Sequence, residues 1–140
     1  MSTDPASEQN DRFSRVRLLL GRSKLSRLHK ASVTVIGLGA VGAQAVEALA
    51  RAGVGHFRLV DFDVIRPSNI NRHIWATVKT VGRPKAAVAL ERLKEIDPGI
   101  KAEALELFSA QDTLDRILDN TPDLVIDAID ALNPKAQLLT

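Results

Sequence analysis

The segment VTVIGLGAVG, residues 33–42, constrains the fold more than any other part of the sequence. It opens with a β-branched run, Val33 to Ile36, that is typical of a strand buried on both faces. Gly37, Gly39 and Gly42 follow in G-x-G-x-x-G spacing, before apolar residues recur at helical intervals. In such a unit the first glycine allows a tight turn, the second lets a phosphate approach the backbone, and the third lets the helix pack against the strand. Because the helix then presents free N–H groups to an anion, the segment predicts a nucleotide-binding turn.

The rest of the chain continues the alternation of short apolar runs and helical patterns. The predicted strands are residues 33–36, 57–60, 102–107 and 124–129. The predicted helices between them are residues 41–52, 84–96 and 111–118, and the second has a predicted buried stripe of Ala87, Leu90, Leu93 and Ile96. Strands joined through helices need crossover connections. The pattern therefore predicts an α/β fold, a doubly wound Rossmann-like parallel sheet with helices on both faces.

Length and composition limit what this fold can carry. The 140 residues suit one domain, and 45% hydrophobic with 26% charged residues is typical of a globular protein. The absence of cysteine excludes disulfides and thiolate zinc sites within these residues. No apolar run is long enough for a membrane span, so we expect a cytoplasmic protein without membrane contact.

The chain divides into three predicted regions. Residues 1–11 are small and polar and predict a disordered tail. Residues 12–30 predict two short helices, and residues 31–140 form the nucleotide-binding domain. Because Asn133-Pro134 is a typical helix start with no stop signal after it, we expect the sequence to be truncated at its C-terminal end.

The N-terminal helices are amphipathic. Phe13, Val16, Leu19 and Leu20 share the predicted apolar face; Gly21 is predicted to end the first helix and Ser23 to cap the second. The opposite face is basic, with Arg12, Arg15, Arg17, Arg22, Lys24, Arg27 and Lys30. This basic face carries no aromatic residue among its charges, so a solvated face is favoured over a nucleic-acid patch.

Polar residues follow the strands where a nucleotide would lie. Asp61 comes 19 positions after Gly42, at the end of the second predicted strand, where its carboxylate can accept hydrogen bonds from ribose hydroxyls. Asn69 offers an amide donor, Arg72 a planar fork for phosphate oxygens, and Lys85 a mobile point charge. Together these groups suit a triphosphate.

Carboxylates near the fourth predicted strand are candidates for Mg²⁺, which binds through one or two acids and substrate phosphates. Asp130 is favoured because it follows the strand end, whereas Asp127 and Asp63 are ambiguous. His73, next to Arg72, is a candidate phosphate contact, and no histidine has a partner at metal-ligand spacing.

Five segments in order resemble the signature of the ubiquitin-activating-enzyme, ThiF, MoeB and HesA superfamily. They are GLGAVG at 37–42, LVDFD at 59–63, SNINRH at 68–73, VGRPKA at 81–86 and VIDAID at 125–130. The resemblance implies ATP rather than NAD. It also implies attack of a carboxylate or carbonyl oxygen on the α-phosphate, giving an adenylated intermediate and pyrophosphate.

The resemblance also implies roles for single residues. Asp61 matches the ribose acid, and Asn69, Arg72 and Lys85 match the phosphate grip. Asp130 matches the essential acid associated with Mg²⁺. In family homodimers an N-terminal arginine reaches the neighbouring subunit's ATP, and Arg15 is its counterpart here; His73 stands where the family usually has Gln.

Within the superfamily, NRHIWA and VIDAIDALNPKAQL are most similar to bacterial tRNA threonylcarbamoyladenosine dehydratases, which use ATP to cyclise a modified adenosine in tRNA. MoeB- and ThiF-type adenylyltransferases of ubiquitin-like sulfur carriers are the alternative. An NAD-binding dehydrogenase domain and a non-catalytic nucleotide sensor also remain open. The family's acceptor-recognition half is expected beyond Thr140, so these residues alone are not expected to be a complete enzyme.

Overall fold

The computed structural model describes residues 11–130, and four parallel strands form its sheet. The predicted tail at 1–10 and the predicted helix after Pro134 lie outside the described residues. The strands are β1 Ser32–Ile36, β2 His56–Val60, β3 Lys101–Leu105 and β4 Leu124–Asp127, in the spatial order β3-β2-β1-β4. All three strand pairs are parallel, which confirms the predicted fold class.

Helices connect the strands. They are α1 Ser14–Leu20, α2 Arg22–Lys30, α3 Ala40–Ala52, α4 Lys85–Ile96 and α5 Leu114–Ile117, with a 3₁₀ turn at Pro67–Asn69. None of the described helices is long and apolar enough to cross a membrane. Asp11, at the predicted end of the tail, accepts hydrogen bonds from the Phe13 amide and the Arg17 guanidinium.

The strand ends are aligned. Ile36 of β1 pairs with Val60 of β2 and with Asp127 of β4, and Val60 pairs with Leu105 of β3. Both outer strands end two residues earlier than predicted, because the chain leaves the sheet after Leu105 and Asp127. The segments that follow the strands therefore gather at one edge.

The buried face of α4 differs from the predicted stripe. Leu93 is fully buried, but Ala87, Leu90 and Ile96 are only partly buried. The other buried residues of this helix are Lys85, Ala86, Val88 and Ala89. Because α4 contacts both α3 and β3, it buries a wider face than one stripe, and alanines permit the close approach.

The N-terminal helices also depart from the sequence pattern. Leu19 is 82% exposed instead of sharing a buried face, and Leu18 beside it is 78% exposed. Gly21 ends α1 as predicted, and it is also the N-cap of α2, so Ser23 does not cap that helix. Leu25 is the buried anchor of α2.

Glu47 on α3 holds several elements together. Its carboxylate accepts hydrogen bonds from the Trp75 indole at 2.9 Å, from Arg92 of α4 at 2.8 and 3.0 Å, and from Arg51 at 2.9 Å. Burial raises the pKa of Glu47, but these donors outweigh it and lower the pKa to about 2. This carboxylate therefore stabilises the packing of α3 on α4 in its charged form.

We expect Glu47→Gln to lower the free energy of unfolding by about 2 kcal/mol at pH 7, because charge-assisted hydrogen bonds are lost. Parent stability should fall as pH drops from 4.5 towards 2, since unfolded Glu47 takes up its proton first, and the variant should show a smaller fall. Urea denaturation across this pH range measures both effects. Glu106→Gln, at an exposed position, is the control; equal losses in the two variants would contradict the role of Glu47.

Candidate functional site

A cavity of about 190 Å³ lies at the carboxyl ends of the strands. This is the edge where open parallel α/β sheets bind ligands. The described residues that line it are Ile36, Gly37, Gly39, Val60, Asp61, Phe62, Asp63, Lys85, Leu107, Phe108, Ser109, Ala128, Ile129 and Asp130. Gly37, Gly39, Asp61, Lys85 and Asp130 are thus brought together as the sequence predicted.

Glycine is favoured at each of the three positions of the turn for a different physical reason. Gly37 adopts φ +93°, and a Cβ there would lie 2.7 Å from the Ala128 carbonyl oxygen. A Cβ on Gly42 would overlap the carbonyl oxygen of Gly37, so this glycine permits α3 to pack against the end of β1. A Cβ on Gly39 would meet no atom within 4 Å among the described residues, and Gly39 lines the cavity. Two glycines therefore serve the fold, whereas the third leaves room at the cavity.

We expect Gly42→Ala and Gly39→Ala to separate these reasons. Gly42→Ala should lower the melting temperature by several degrees, because its new methyl group meets rigid backbone. Gly39→Ala should leave the melting temperature nearly unchanged, since its φ of −77° suits alanine and the space is open. Thermal unfolding without ligand measures both. A similar loss of stability in the two variants would contradict this assignment.

Asp61 ties the glycine turn to β2. Its Oδ2 accepts a hydrogen bond from the Leu38 amide at 2.7 Å, and its Oδ1 accepts one from the Asp63 amide at 2.8 Å. A carboxylate offers about four acceptor positions, so both oxygens can accept further donors from the cavity. The side chain is half-buried and lines the cavity.

Lys85 is nearly buried, although lysine side chains are mostly exposed in folded proteins. Its side chain is 11% exposed, and its Nζ lies 3.5 Å from Oδ2 of Asp63. Burial raises the pKa of Asp63, but hydrogen bonds from the Val64 amide and Arg66, with the charge of Lys85, hold it below its usual value. A buried cation needs a partner, and this ion pair explains how Lys85 can lie at the start of α4 inside the cavity wall.

The Asn69 and Arg72 side chains lie on a neighbouring loop and not among the described lining residues. Asn69 Oδ1 accepts a hydrogen bond from the Arg66 amide at 2.9 Å, which closes the 3₁₀ turn. The exposed Arg72 guanidinium donates to the Ser68 carbonyl at 2.9 Å and to Asn71 Oδ1 at 2.8 Å. Asn69 thus shapes the loop that carries Arg72.

His73 is buried and bonded to backbone on both sides. Its Nε2 donates to the Leu38 carbonyl at 2.7 Å, and its Nδ1 accepts from the Trp75 amide at 3.2 Å. This pairing fixes the neutral tautomer, and burial, the largest influence, lowers the pKa of His73. The predicted phosphate contact would require one of these two bonds to break.

Asp130 and Arg15 occupy different places. Asp130 is exposed and lines the cavity, whereas Asp127 accepts a hydrogen bond from the Ile129 amide at 3.0 Å. Arg15 is exposed on α1 and is not among the described lining residues. No cluster of three metal-ligating side chains occurs within residues 11–130.

Sequence reasoning missed one wall of the cavity. Leu107, Phe108 and Ser109 follow β3 and line the site with Phe62, whose ring packs edge-on against Phe108 at 5.0 Å. No motif marks these residues. The strand order could have indicated them, because the segment after β3 must lie beside the segment after β2 when the two strands pair in parallel.

The profile of the ThiF family matches residues 13–139, nearly the whole chain. The chain belongs to the ThiF family. This membership confirms the resemblance drawn from the five sequence segments.

Individual relatives agree with this membership. A tRNA threonylcarbamoyladenosine dehydratase of Bacillus subtilis is 40% identical over 127 residues, which are 91% of this chain and 50% of that protein. A sulfur carrier protein adenylyltransferase of Thermus thermophilus is 37% identical over 125 residues, 88% of this chain and 46% of that protein. The chain therefore spans about half the length of the curated relatives it matches.

Solved structures show the same similarity. The crystal structure of the Escherichia coli tRNA N6-threonylcarbamoyladenosine dehydratase in complex with ATP superposes with a TM-score of 0.90 at 36% identity. The match covers 99% of this chain and 56% of that one.

Proposed function

We propose that this ThiF-family chain is the nucleotide-binding part of an ATP-dependent adenylating enzyme. The observation that carries the proposal is the cavity that unites the glycine turn, Asp61 and Lys85 at the carboxyl ends of the strands. The E. coli relative, bound to ATP, superposes along almost the whole chain and supports the same conclusion.

Each part of ATP has a group suited to it. The triphosphate would lie at Gly37 and Gly39, where the N-terminus of α3 and the charge of Lys85 favour an anion. The ribose would lie at Asp61. Arg72 would turn from its loop to hold phosphate oxygens, which are stronger acceptors for a guanidinium than the carbonyls it now contacts.

Asp130 is the residue we propose to hold Mg²⁺ together with phosphate oxygens. Mg²⁺ prefers oxygen ligands and is held by few protein carboxylates. Asp130 supplies one carboxylate, and it is exposed where it lines the cavity. Bound there, Mg²⁺ would neutralise negative charge on the phosphates.

The proposed substrate of the whole protein is tRNA carrying threonylcarbamoyladenosine. A carboxylate oxygen of the threonylcarbamoyl group would attack the α-phosphate and release pyrophosphate. A nucleophile within the modified group would then displace AMP and close a ring, for a net loss of one water from the nucleoside. This intramolecular closure needs no protein thioester. The tRNA substrate favours a cytoplasmic location.

A sulfur carrier protein is the second candidate substrate. The T. thermophilus adenylyltransferase is nearly as similar to this chain as the dehydratases are. In that case the adenylated group would be the C-terminal carboxylate of a ubiquitin-like protein.

The proposed working unit is a homodimer in which Arg15 reaches the neighbouring subunit's triphosphate. In support, Arg15 is exposed on α1 beside Leu18 and Leu19, whose large exposed side chains suit a contact with a second copy.

We expect Lys85→Met and Arg72→Ala each to weaken ATP binding roughly 10- to 100-fold, because each removes a charge-assisted hydrogen bond. Arg72→Ala should leave thermal stability unchanged, whereas Lys85→Met should cost some stability because Asp63 loses a partner. Calorimetric titration with ATP–Mg²⁺, and with NAD in parallel, measures binding. Lys101→Ala, at the opposite edge of the sheet, is the control. Tight NAD binding without ATP binding would instead support a dehydrogenase domain.

For the full-length protein we expect ATP, Mg²⁺ and the modified tRNA to give a nucleoside lighter by one water in mass spectrometry.

Asp130→Asn should reduce turnover far more than ATP binding, because it keeps the shape and removes the charge. Mixing Arg15→Ala with Asp130→Asn subunits should restore part of the activity if Arg15 acts across the dimer. An unchanged nucleoside mass in the assay of the full-length parent, together with adenylation of a sulfur carrier protein, would favour the sulfur carrier as the substrate.

A further inference from the structure

Ser109 carries a buried hydroxyl that lacks a partner among the described residues. The residue is 6% exposed, and its Oγ has no hydrogen-bond partner in the part of the chain that the structure describes. Buried hydroxyls without partners are rare in folded proteins, because the lost hydration is not replaced. Ser109 also lines the cavity. The hydroxyl is therefore available to a molecule bound there.

The sheet order fixes where Ser109 lies relative to the other groups. Gly37 follows β1, Asp61 follows β2, and the Leu107–Ser109 segment follows β3. Adjacent strands are about 4.8 Å apart, so the ends of β1 and β3 are separated by roughly 10 Å. A nucleotide with its phosphates at Gly37 and its ribose at Asp61 would direct its base towards Ser109.

The walls at this end of the cavity are apolar. Leu107, Phe108 and Phe62 lie here, and Phe62 and Phe108 contact each other edge to face. Such walls suit a flat heteroaromatic ring. Ser109 is the one hydroxyl side chain among the described residues that line the cavity.

We propose that the Ser109 hydroxyl forms a hydrogen bond with the base of the bound nucleotide. The inference rests on the proposed nucleotide-binding function and assigns it a base-recognising residue. A serine hydroxyl both donates and accepts, so it can pair with an amino group or a ring nitrogen of a purine. The hydroxyl should therefore raise the affinity for a nucleotide and leave the affinity for bare triphosphate unchanged.

This role differs from a structural one in a measurable way. A serine that stabilises the fold would lower the melting temperature when its hydroxyl is removed. A hydroxyl that pairs only with ligand leaves nothing unpaired when it is removed, so ligand-free stability should be unchanged or slightly higher.

The test compares Ser109→Ala with the parent protein and with Ser26→Ala, which removes an exposed hydroxyl on α2. Calorimetric titration uses ATP and inorganic tripolyphosphate as probes, and thermal unfolding is measured without ligand. We expect Ser109→Ala to bind ATP about 3- to 10-fold more weakly, the loss of one hydrogen bond. Its tripolyphosphate affinity should match the parent, and its ligand-free melting temperature should be unchanged or slightly higher. Ser26→Ala should match the parent in every measurement.

Three outcomes would overturn the inference while the proposed function stands. They are equal ATP affinity in Ser109→Ala and parent, an equal loss for tripolyphosphate, or a fall in ligand-free melting temperature that accompanies weaker binding. Failure of the parent protein to bind ATP would overturn the proposed function, and the inference with it.

Discussion

The close approach of α3 to the end of β1 is the contact on which the site depends. It exists because Gly42 places no side chain against the Gly37 carbonyl. The approach directs the first turn of α3 at the cavity and leaves Gly39 open beside it. Asp61 then fixes the turn from the neighbouring strand through the Leu38 amide. The position of the glycine turn thus results from one close backbone approach and one carboxylate.

The arrangement of charges in and beside the cavity also depends on close packing. Lys85 lies near two acids, Asp61 and Asp63, while burial favours the neutral form of His73 behind the turn and the Trp75 amide occupies its Nδ1. A charged imidazole there would repel Lys85, which itself contributes to the lowered pKa of His73. An incoming polyphosphate would meet one buried ammonium group whose position is already fixed by its ion pair.

The parts of the site that the sequence predicts are those held by local geometry. The glycine turn and Asp61 follow directly from one strand, one helix and the next strand, so their spacing alone places them together. The burial of Lys85 could not be predicted, because it depends on Asp63, which is 22 positions away in sequence and joined to it only by the tertiary fold. Ser109 was missed for the same reason. The sheet register brings it to the cavity, and no pattern in its own segment marks it.

The loop between β2 and α4 carries Asn69 and Arg72, and a chain of hydrogen bonds runs through it. The Asn69 side chain bonds the Arg66 amide, and the Asn69 carbonyl accepts from the amides of Arg72 and His73. His73 in turn bonds the Leu38 carbonyl of the glycine turn. The backbone beneath Arg72 is thus anchored to the glycine turn, although its guanidinium contacts its own loop. In the phosphate role that we propose for Arg72, its guanidinium would exchange neutral acceptors for charged ones, and the ordering entropy of a whole loop would not oppose this exchange.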